Sequence, residues 1–221
     1  MKWTIPNTLT ALRLLAAPGV AIMFLYFNRP WADWFALILF VSAAVTDWFD
    51  GYLARLWKQE SKFGAMLDPI ADKAMVIIAL LVVTGFSGMD PWILLPATVI
   101  LFREIFIAGL REFLGDNAGT LKATKIAKYK TTAQMIALAV LFARGIFEHH
   151  LEIRIQGMND EMIAAIFEGL VPDEVGLLWL YDGIQYSWYS GVALLWLAAA
   201  LTLISGLDYF QKSLPYLKDE A

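Results

Sequence analysis

No cysteine occurs among the 221 residues, which excludes a disulfide framework and any thiolate nucleophile or thiolate metal site. Histidine is nearly absent as well. His149 and His150 are adjacent, no other metal-ligand spacing accompanies them, and both are expected in a loop. Charged residues make up only 17% of the chain, against about 25% in a soluble domain. The net charge of −4 argues against nucleic acid as a partner. No internal repeat at a period of about 20–50 residues and no low-complexity segment interrupts the chain, so neither a solenoid nor a biased linker is expected.

What fills the space left by charge is apolar. Hydrophobic residues account for 59% of the chain and the mean hydropathy is +0.59. Several apolar runs reach the ~20 residues that a helix needs to cross about 30 Å of hydrocarbon. The expected fold is all-α: a polytopic membrane bundle of six transmembrane helices, with an N-terminal amphipathic lead and a short surface helix, in a single domain over 1–221. The first span ends at Phe27 after the lead Trp3 to Thr10. It is expected to be uncleaved, because its apolar run continues past Ala16 and Ala17. The others are placed at Trp31–Thr46, Phe63–Phe86, Trp92–Leu114, Thr131–Phe147 and Gly191–Phe210.

Residues 149–188 are different, being polar and acidic. Met162, Ile163, Ile166, Phe167 and Leu170 recur there at helical spacing, which suggests a short helix lying on the membrane surface. Trp179, Tyr181, Tyr186, Trp188 and Tyr189 form an interfacial aromatic group beside it. With six spans, 14 of the 17 basic residues fall on one side and only Arg29, Arg144 and Arg154 on the other. By the positive-inside rule the first side, with both termini, faces the cytoplasm.

The chemistry is concentrated between Asp47 and Asp72. Asp47, Asp50, Gly51 and Ala54 share one helical face, and Gly64, Asp68 and Asp72 share another. Packed as a hairpin, the two helices would bring four carboxylates into one volume. An ionised Asp near mid-membrane costs roughly 2.5–3.5 kcal/mol even on lenient insertion scales, so four cost about 10. Hard divalent cations offset both that cost and the mutual repulsion, and two Mg²⁺ or Mn²⁺ ions could neutralise all four. The three small residues beside them let a planar base or a phosphate approach the backbone, or let helices pack closely. Arg55, one turn after Gly51, is placed to pair with a donor phosphate or to snorkel from the end of its span. Asn7 and Thr10 are either caps of the first helix or substrate contacts.

Arg103 is the second informative feature. Roughly 18 Å into its span, it needs a cavity or a partner. Glu104 is adjacent on the helix and is expected to face elsewhere. Arg111 lies on nearly the same face as Arg103, and Lys122, Lys125 and Lys130 come from the following loop and helix start. Together they make a site for a phosphate-bearing acceptor.

The pattern D-x-x-D-G-x-x-A-R-x(8)-G-x-x-x-D-x-x-x-D, present here at every fixed position, resembles the signature of the CDP-alcohol phosphotransferases. These integral membrane enzymes move a phosphatidyl or similar group from a CDP-linked donor onto an alcohol. The resemblance implies Asp72 as the proton acceptor and Asp47, Asp50, Asp68 and Asp72 as metal ligands. It also implies CDP-lipid contacts from Gly51, Arg55, Ser61 and the region of Asn7 and Thr10, with Ala54 and Gly64 alongside. Pro6 to Arg13, Arg103-Glu104 followed by Leu110-Arg111-Glu112, and Lys130 to Gln134 are similar to one branch of that family. Members of this branch join CDP-diacylglycerol and sn-glycerol 3-phosphate, release CMP in anionic phospholipid synthesis, and are commonly homodimers of the bacterial inner membrane. Residues 149–188 look like an insertion relative to short members.

Two other readings fit parts of the pattern. The same chemistry could serve phosphatidylglycerol, inositol phosphate or serine, although a phosphate-free acceptor has no need of Arg103 with Arg111. A non-catalytic cation transporter is the other, but its carboxylates would line a path through the spans and not gather at one face.

Overall fold

The computed structural model describes residues 5–57, 62–115 and 125–217, with side chains described except at 5–6, 44, 46–57, 62, 65 and 125–128. The described residues form an all-helical bundle: α1 (Ile5–Tyr26), α2 (Trp31–Trp57), α3 (Lys62–Phe86), α4 (Pro91–Leu114), α5 (Lys125–Ile155), α6 (Asp160–Phe167) and α7 (Leu177–Ser213), with a 3₁₀ turn at Leu214–Tyr216. Short turns join α1 to α2 and α3 to α4, so each pair runs antiparallel. The turn before α4 shows why it ends where it does. The Asp90 carboxylate accepts from the Trp92 amide at 2.8 Å and Pro91 occupies the first helical turn, a cap that satisfies one orphan donor.

Six long helices match the expected spans in number. Among the described residues, four segments are long and apolar enough to cross a membrane: Asn7–Tyr26, Pro91–Leu114, Tyr129–Ile155 and Leu177–Tyr216. Trp31–Ala43 in α2 is a shorter apolar stretch, and α3 carries Asp68, Asp72 and Lys73 in its first half. The bundle exposes what a soluble protein would hide. Leu15, Leu25, Leu81, Phe102 and Ile105 each have more than 65% of their surface accessible, a lipid-facing surface. The interior is filled by Phe40, Met75, Leu80, Ile93, Ile100, Leu138 and Leu195, all essentially inaccessible.

The most extensive helix pair is α5 with α7, while α1 packs on both α2 and α3 and α4 packs on α7. Small residues permit the α5–α7 approach. A Cβ at Gly191 would stand 2.7 Å from Leu141 Cδ2, and one at Gly183 2.8 Å from Phe147 Cδ1. In lipid, where apolar burial drives little association, such close backbone packing is a main source of helix affinity.

Three expectations are corrected here: the bounds of spans five and six, the loop placement of the histidines, and the extent of the surface helix. The helices of spans five and six are longer than the apolar runs that announced them, because helical hydrogen bonding continues into the flanking polar sequence. His149 and His150 therefore lie within α5 and not in a loop, and the aromatic group from Trp179 to Tyr189 lies on α7. Residues 149–188 are thus the end of α5, α6 and the first turns of α7. The stripe from Met162 forms α6, but Leu170 falls outside it, since the helix ends at Phe167 and Gly169 turns the chain with φ +74°. Asn159 caps α6 through the Met162 amide at 2.8 Å, and Phe167 meets Tyr181 of α7 edge-on at 5.2 Å. Asp173 accepts from the Leu178 and Leu177 amides at 2.9 and 2.8 Å, bonds that hold its carboxyl below the usual aspartate range.

At the end of the bundle where α1 turns into α2, Asp33 is completely buried. The Arg29 guanidinium donates to both its oxygens, Nε at 2.7 Å and Nη2 at 2.6 Å, and reaches Glu148 Oε2 at 3.7 Å. Gly145 of α5 leaves room for this pair: a Cβ there would come within 2.2 Å of Asp33 Oδ1 and 1.7 Å of Arg29 Nη2. The Gly145→Ala variant should therefore push Arg29 off a buried carboxylate, at a cost on the order of 3–5 kcal/mol. A clear drop in the thermal unfolding midpoint in detergent is expected. Gly109→Ala, where nothing lies within 4 Å, should leave the midpoint unchanged or slightly raised.

Candidate functional site

At the opposite end, where α1, α3, α4, α5 and α7 converge, polar groups are drawn inward. Asp68 and Asp72 stand one turn apart on α3, both partly accessible. Arg13 of α1 is buried between them, its Nη1 3.3 Å from Asp72 Oδ1 and its Nη2 3.6 Å from Asp68 Oδ1. Thr10, one turn earlier, donates from Oγ1 to Asp68 Oδ1 at 2.5 Å. Thr10 and Asn7 are buried inside α1, so neither caps it. The two carboxylates are thus held toward α1 by a hydroxyl and a guanidinium.

Beside Asp72 opens a cavity of about 180 Å³, the liquid volume of about six waters. Its polar lining is Asp72 and Lys73 of α3, Arg103, Glu104 and Arg111 of α4, and Lys130, Thr131 and Gln134 of α5. Pro69, Val76, Ile77 and Ile107 supply the apolar wall. Four cations (Lys73, Arg103, Arg111, Lys130) face two carboxylates (Asp72, Glu104), so the net formal charge of the lining is 4 − 2 = +2.

Arg103 is fixed on three sides. Its Nη1 donates to Glu104 Oε1 at 3.1 Å and its Nη2 to Ser205 Oγ of α7 at 3.2 Å. Gly206 makes room for its stem, because a Cβ there would lie 2.9 Å from Arg103 Cγ. The expectation that Glu104 faces away from Arg103 is corrected. Successive helical residues diverge by about 100° at the backbone, so Arg103 leaves α4 toward α7 and Glu104 toward α3 and α5. Both side chains are long enough to bend back and meet over the cavity. Glu104 Oε1 also accepts from Lys130 Nζ in a short contact, and Lys73 Nζ lies 3.9 Å from its Oε2. Arg111 is exposed, with its guanidinium 5.0 Å over the Tyr209 ring.

Of the residues expected at the site, Asp72, Arg103, Arg111 and Lys130 line one cavity, and Asp68 and Thr10 stand next to it. Gly64 is buried at the start of α3. Asp47, Asp50, Gly51, Ala54 and Arg55 lie on the last turns of α2, where only the backbone is described; Lys125 opens α5 in the same way. Ser61 and Lys122 lie outside the described residues. Among the described residues no group of three or more His, Asp or Glu could hold a metal ion. Arg13, Lys73, Glu104 and Gln134 were not expected at the site. Arg13, Glu104 and Gln134 did fall within the stretches similar to one branch of the family, and Arg13 is also one turn beyond Thr10, on the face that carries Asn7.

Residues 3–204 match the family described as CDP-alcohol phosphatidyltransferase. A Cereibacter sphaeroides protein named CDP-diacylglycerol–glycerol-3-phosphate 3-phosphatidyltransferase is 64% identical over 220 residues, covering 100% of both chains. Proteins of the same name from Escherichia coli K12 and Salmonella choleraesuis are each 36% identical over 222 residues, again covering 100% of both chains.

The seat of Arg103 can be tested through Gly206. Gly206→Val should displace the guanidinium from Ser205 and Glu104 at an overpacking cost of about 1–3 kcal/mol, read as a lower unfolding midpoint in detergent. The double variant Gly206→Val/Arg103→Ala should recover part of that loss; a strictly additive cycle would show that the two side chains do not interact.

Proposed function

Because the chain belongs to the CDP-alcohol phosphatidyltransferase family, we propose that it transfers the phosphatidyl group of CDP-diacylglycerol to sn-glycerol 3-phosphate, giving phosphatidylglycerol phosphate and CMP. The observation that carries this reading is the cavity in which a carboxylate, Asp72, faces four cations. Its net +2 complements a phosphomonoester, which carries about −1.5 to −2 at neutral pH. Arg103 and Lys130 hold the acceptor's phosphate as buried donors, with Arg111 at the rim. Lys122 and Lys125, close in sequence to Lys130, would add to the same field.

In the reaction the acceptor's hydroxyl attacks the phosphorus that bears the diacylglycerol. A new P–O bond forms, the bridging P–O bond to CMP breaks, and the hydroxyl proton passes to Asp72. Asp68 and Asp72 fit the oxygen-donor chemistry of Mg²⁺ or Mn²⁺: two carboxylates one turn apart on one face, both turned toward a cation, here that of Arg13. Asp47 and Asp50 of the same motif would be the further ligands of a site for two ions, and a divalent ion held there would supply charge stabilisation to the donor's pyrophosphate. Gly51, Ala54, Arg55, Ser61 and Gly64, with Asn7 and Thr10, receive the CDP end of the donor. The distribution of Lys and Arg supports an orientation in which this end of the bundle faces the cytoplasm of a bacterial inner membrane; a homodimer is implied by the family resemblance alone.

Membrane vesicles supplied with CDP-diacylglycerol, Mg²⁺ and labelled glycerol 3-phosphate should yield labelled lipid and CMP, and Asp72→Asn should reduce this by about 10²-fold or more. Equal product from that variant refutes the mechanism. Replacing Arg103 and Arg111 should raise the KM for the acceptor far more than that for the lipid donor.

The metal site has a readout apart from turnover. Mn²⁺ at ten times its Kd should stabilise the protein in detergent by about 1.4 kcal/mol, and Asp68→Asn should abolish the thermal shift.

A further inference from the structure

Three of the four cations that line the acceptor cavity come from three different helices, yet all converge on a single buried side chain. Glu104 is about nine-tenths buried and has Lys130 Nζ and Arg103 Nη1 on Oε1, and Lys73 Nζ 3.9 Å from Oε2. Arg103 and Lys130 are themselves about nine-tenths buried. Three positive charges this close, two of them largely withdrawn from water and Lys73 partly accessible, repel one another and would splay apart without a counter-charge. The glycerol-phosphate reading asks the opposite of them: they must stay charged and stay together in the absence of the ligand. We propose that Glu104 is a positioning residue that gathers Lys73, Arg103 and Lys130 into a preformed phosphate seat. This inference rests on the acceptor assignment given above.

The geometry separates this role from substrate contact. Oε1 of Glu104 already accepts from two cations, Lys73 stands 3.9 Å from Oε2, and a carboxylate would repel the acceptor's phosphate. Its partners keep donors to spare. Lys130 gives one of its three N–H groups to Glu104. Arg103 gives one from Nη1 and one from Nη2, and its Nε is buried against Gly206, which leaves two Nη hydrogens for a ligand. Glu104 thus uses the donors on one side of each cation and orients the rest. Preorganising like charges before the ligand arrives removes a reorganisation cost from binding, so the effect should fall on the acceptor and spare the lipid donor.

The test uses full-length protein in mixed micelles with CDP-diacylglycerol and Mg²⁺, with initial rates measured over a range of sn-glycerol 3-phosphate for wild type, Glu104→Asp and Glu104→Gln. The acceptor KM should rise in that order, reaching about 10–100-fold for Glu104→Gln, while the KM for CDP-diacylglycerol stays within about twofold. An unchanged acceptor KM in both variants, or an equal rise in the two KM values, overturns the proposal. Should Glu104→Gln fail to fold, Glu104→Asp carries the test. It keeps the charge but draws the carboxylate back by one methylene, so it should raise the acceptor KM several-fold with the donor KM unmoved. If wild type makes no lipid product from glycerol 3-phosphate, the acceptor assignment itself fails. Wild-type turnover with unaltered Glu104 variants refutes only the positioning role.

Discussion

A charged side chain taken into a helix bundle in lipid must find an opposite charge within a few ångströms, and that requirement organises both ends of this protein. Desolvating an ion costs several kcal/mol, and leaving one member of a buried pair alone costs about 3–5 kcal/mol. At one end Asp33 is wholly buried and is answered by the two-pronged Arg29, which Glu148 also approaches. At the other, Arg13 is shared by Asp68 and Asp72, while Glu104 is shared by three cations. The two ends solve the same problem and leave different remainders. The Arg29–Asp33 pair borders a cavity of about 380 Å³ with Asp90, Arg144 and Glu148, where two cations face three carboxylates and the formal charge is 2 − 3 = −1, whereas the cavity beside Asp72 keeps an excess of two positive charges. An uncompensated excess inside a membrane protein is costly to maintain, and a ligand of the opposite sign is its natural complement.

Packing and charge are linked through glycine. Gly145 admits the Arg29–Asp33 pair and Gly206 admits the stem of Arg103, each at a place where a single methyl group would collide with a charged side chain. Gly183 and Gly191 bring α5 and α7 into close contact, and this contact holds Lys130 and Gln134 on one side of the site opposite Ser205 and Thr202 on the other. Gln134 donates to Thr202 Oγ1 at 3.1 Å, a bond that ties the two helices together next to the cavity. The lipid-facing surface needs no such fit, and there the large apolar residues simply point outward.

Division of labour within the site follows from its helices. α3 brings carboxylates, α4 and α5 bring cations, and α1 and α7 provide the hydroxyls and the guanidinium that hold them in place. The residues that orient the site, Thr10, Arg13 and Ser205, are more deeply buried than Asp72, Lys73 and Arg111 that face the cavity, and rigidity there is built from five separate segments of chain.

The sequence by itself determined the membrane class, the number of long helices and the acidic motif, because apolar run length and helical spacing are local properties that survive any packing. It also brought Asp72, Arg103, Arg111 and Lys130 under suspicion one at a time. Tertiary structure alone decided that these four share a cavity with Lys73 and Glu104, that Arg13 sits between Asp68 and Asp72, and that the last helix begins at Leu177 and not near Gly191. The reason is physical. Neighbours on a helix diverge at the backbone, so Arg103 and Glu104 could be recognised as partners only once α3, α5 and α7 had closed the space into which both side chains turn.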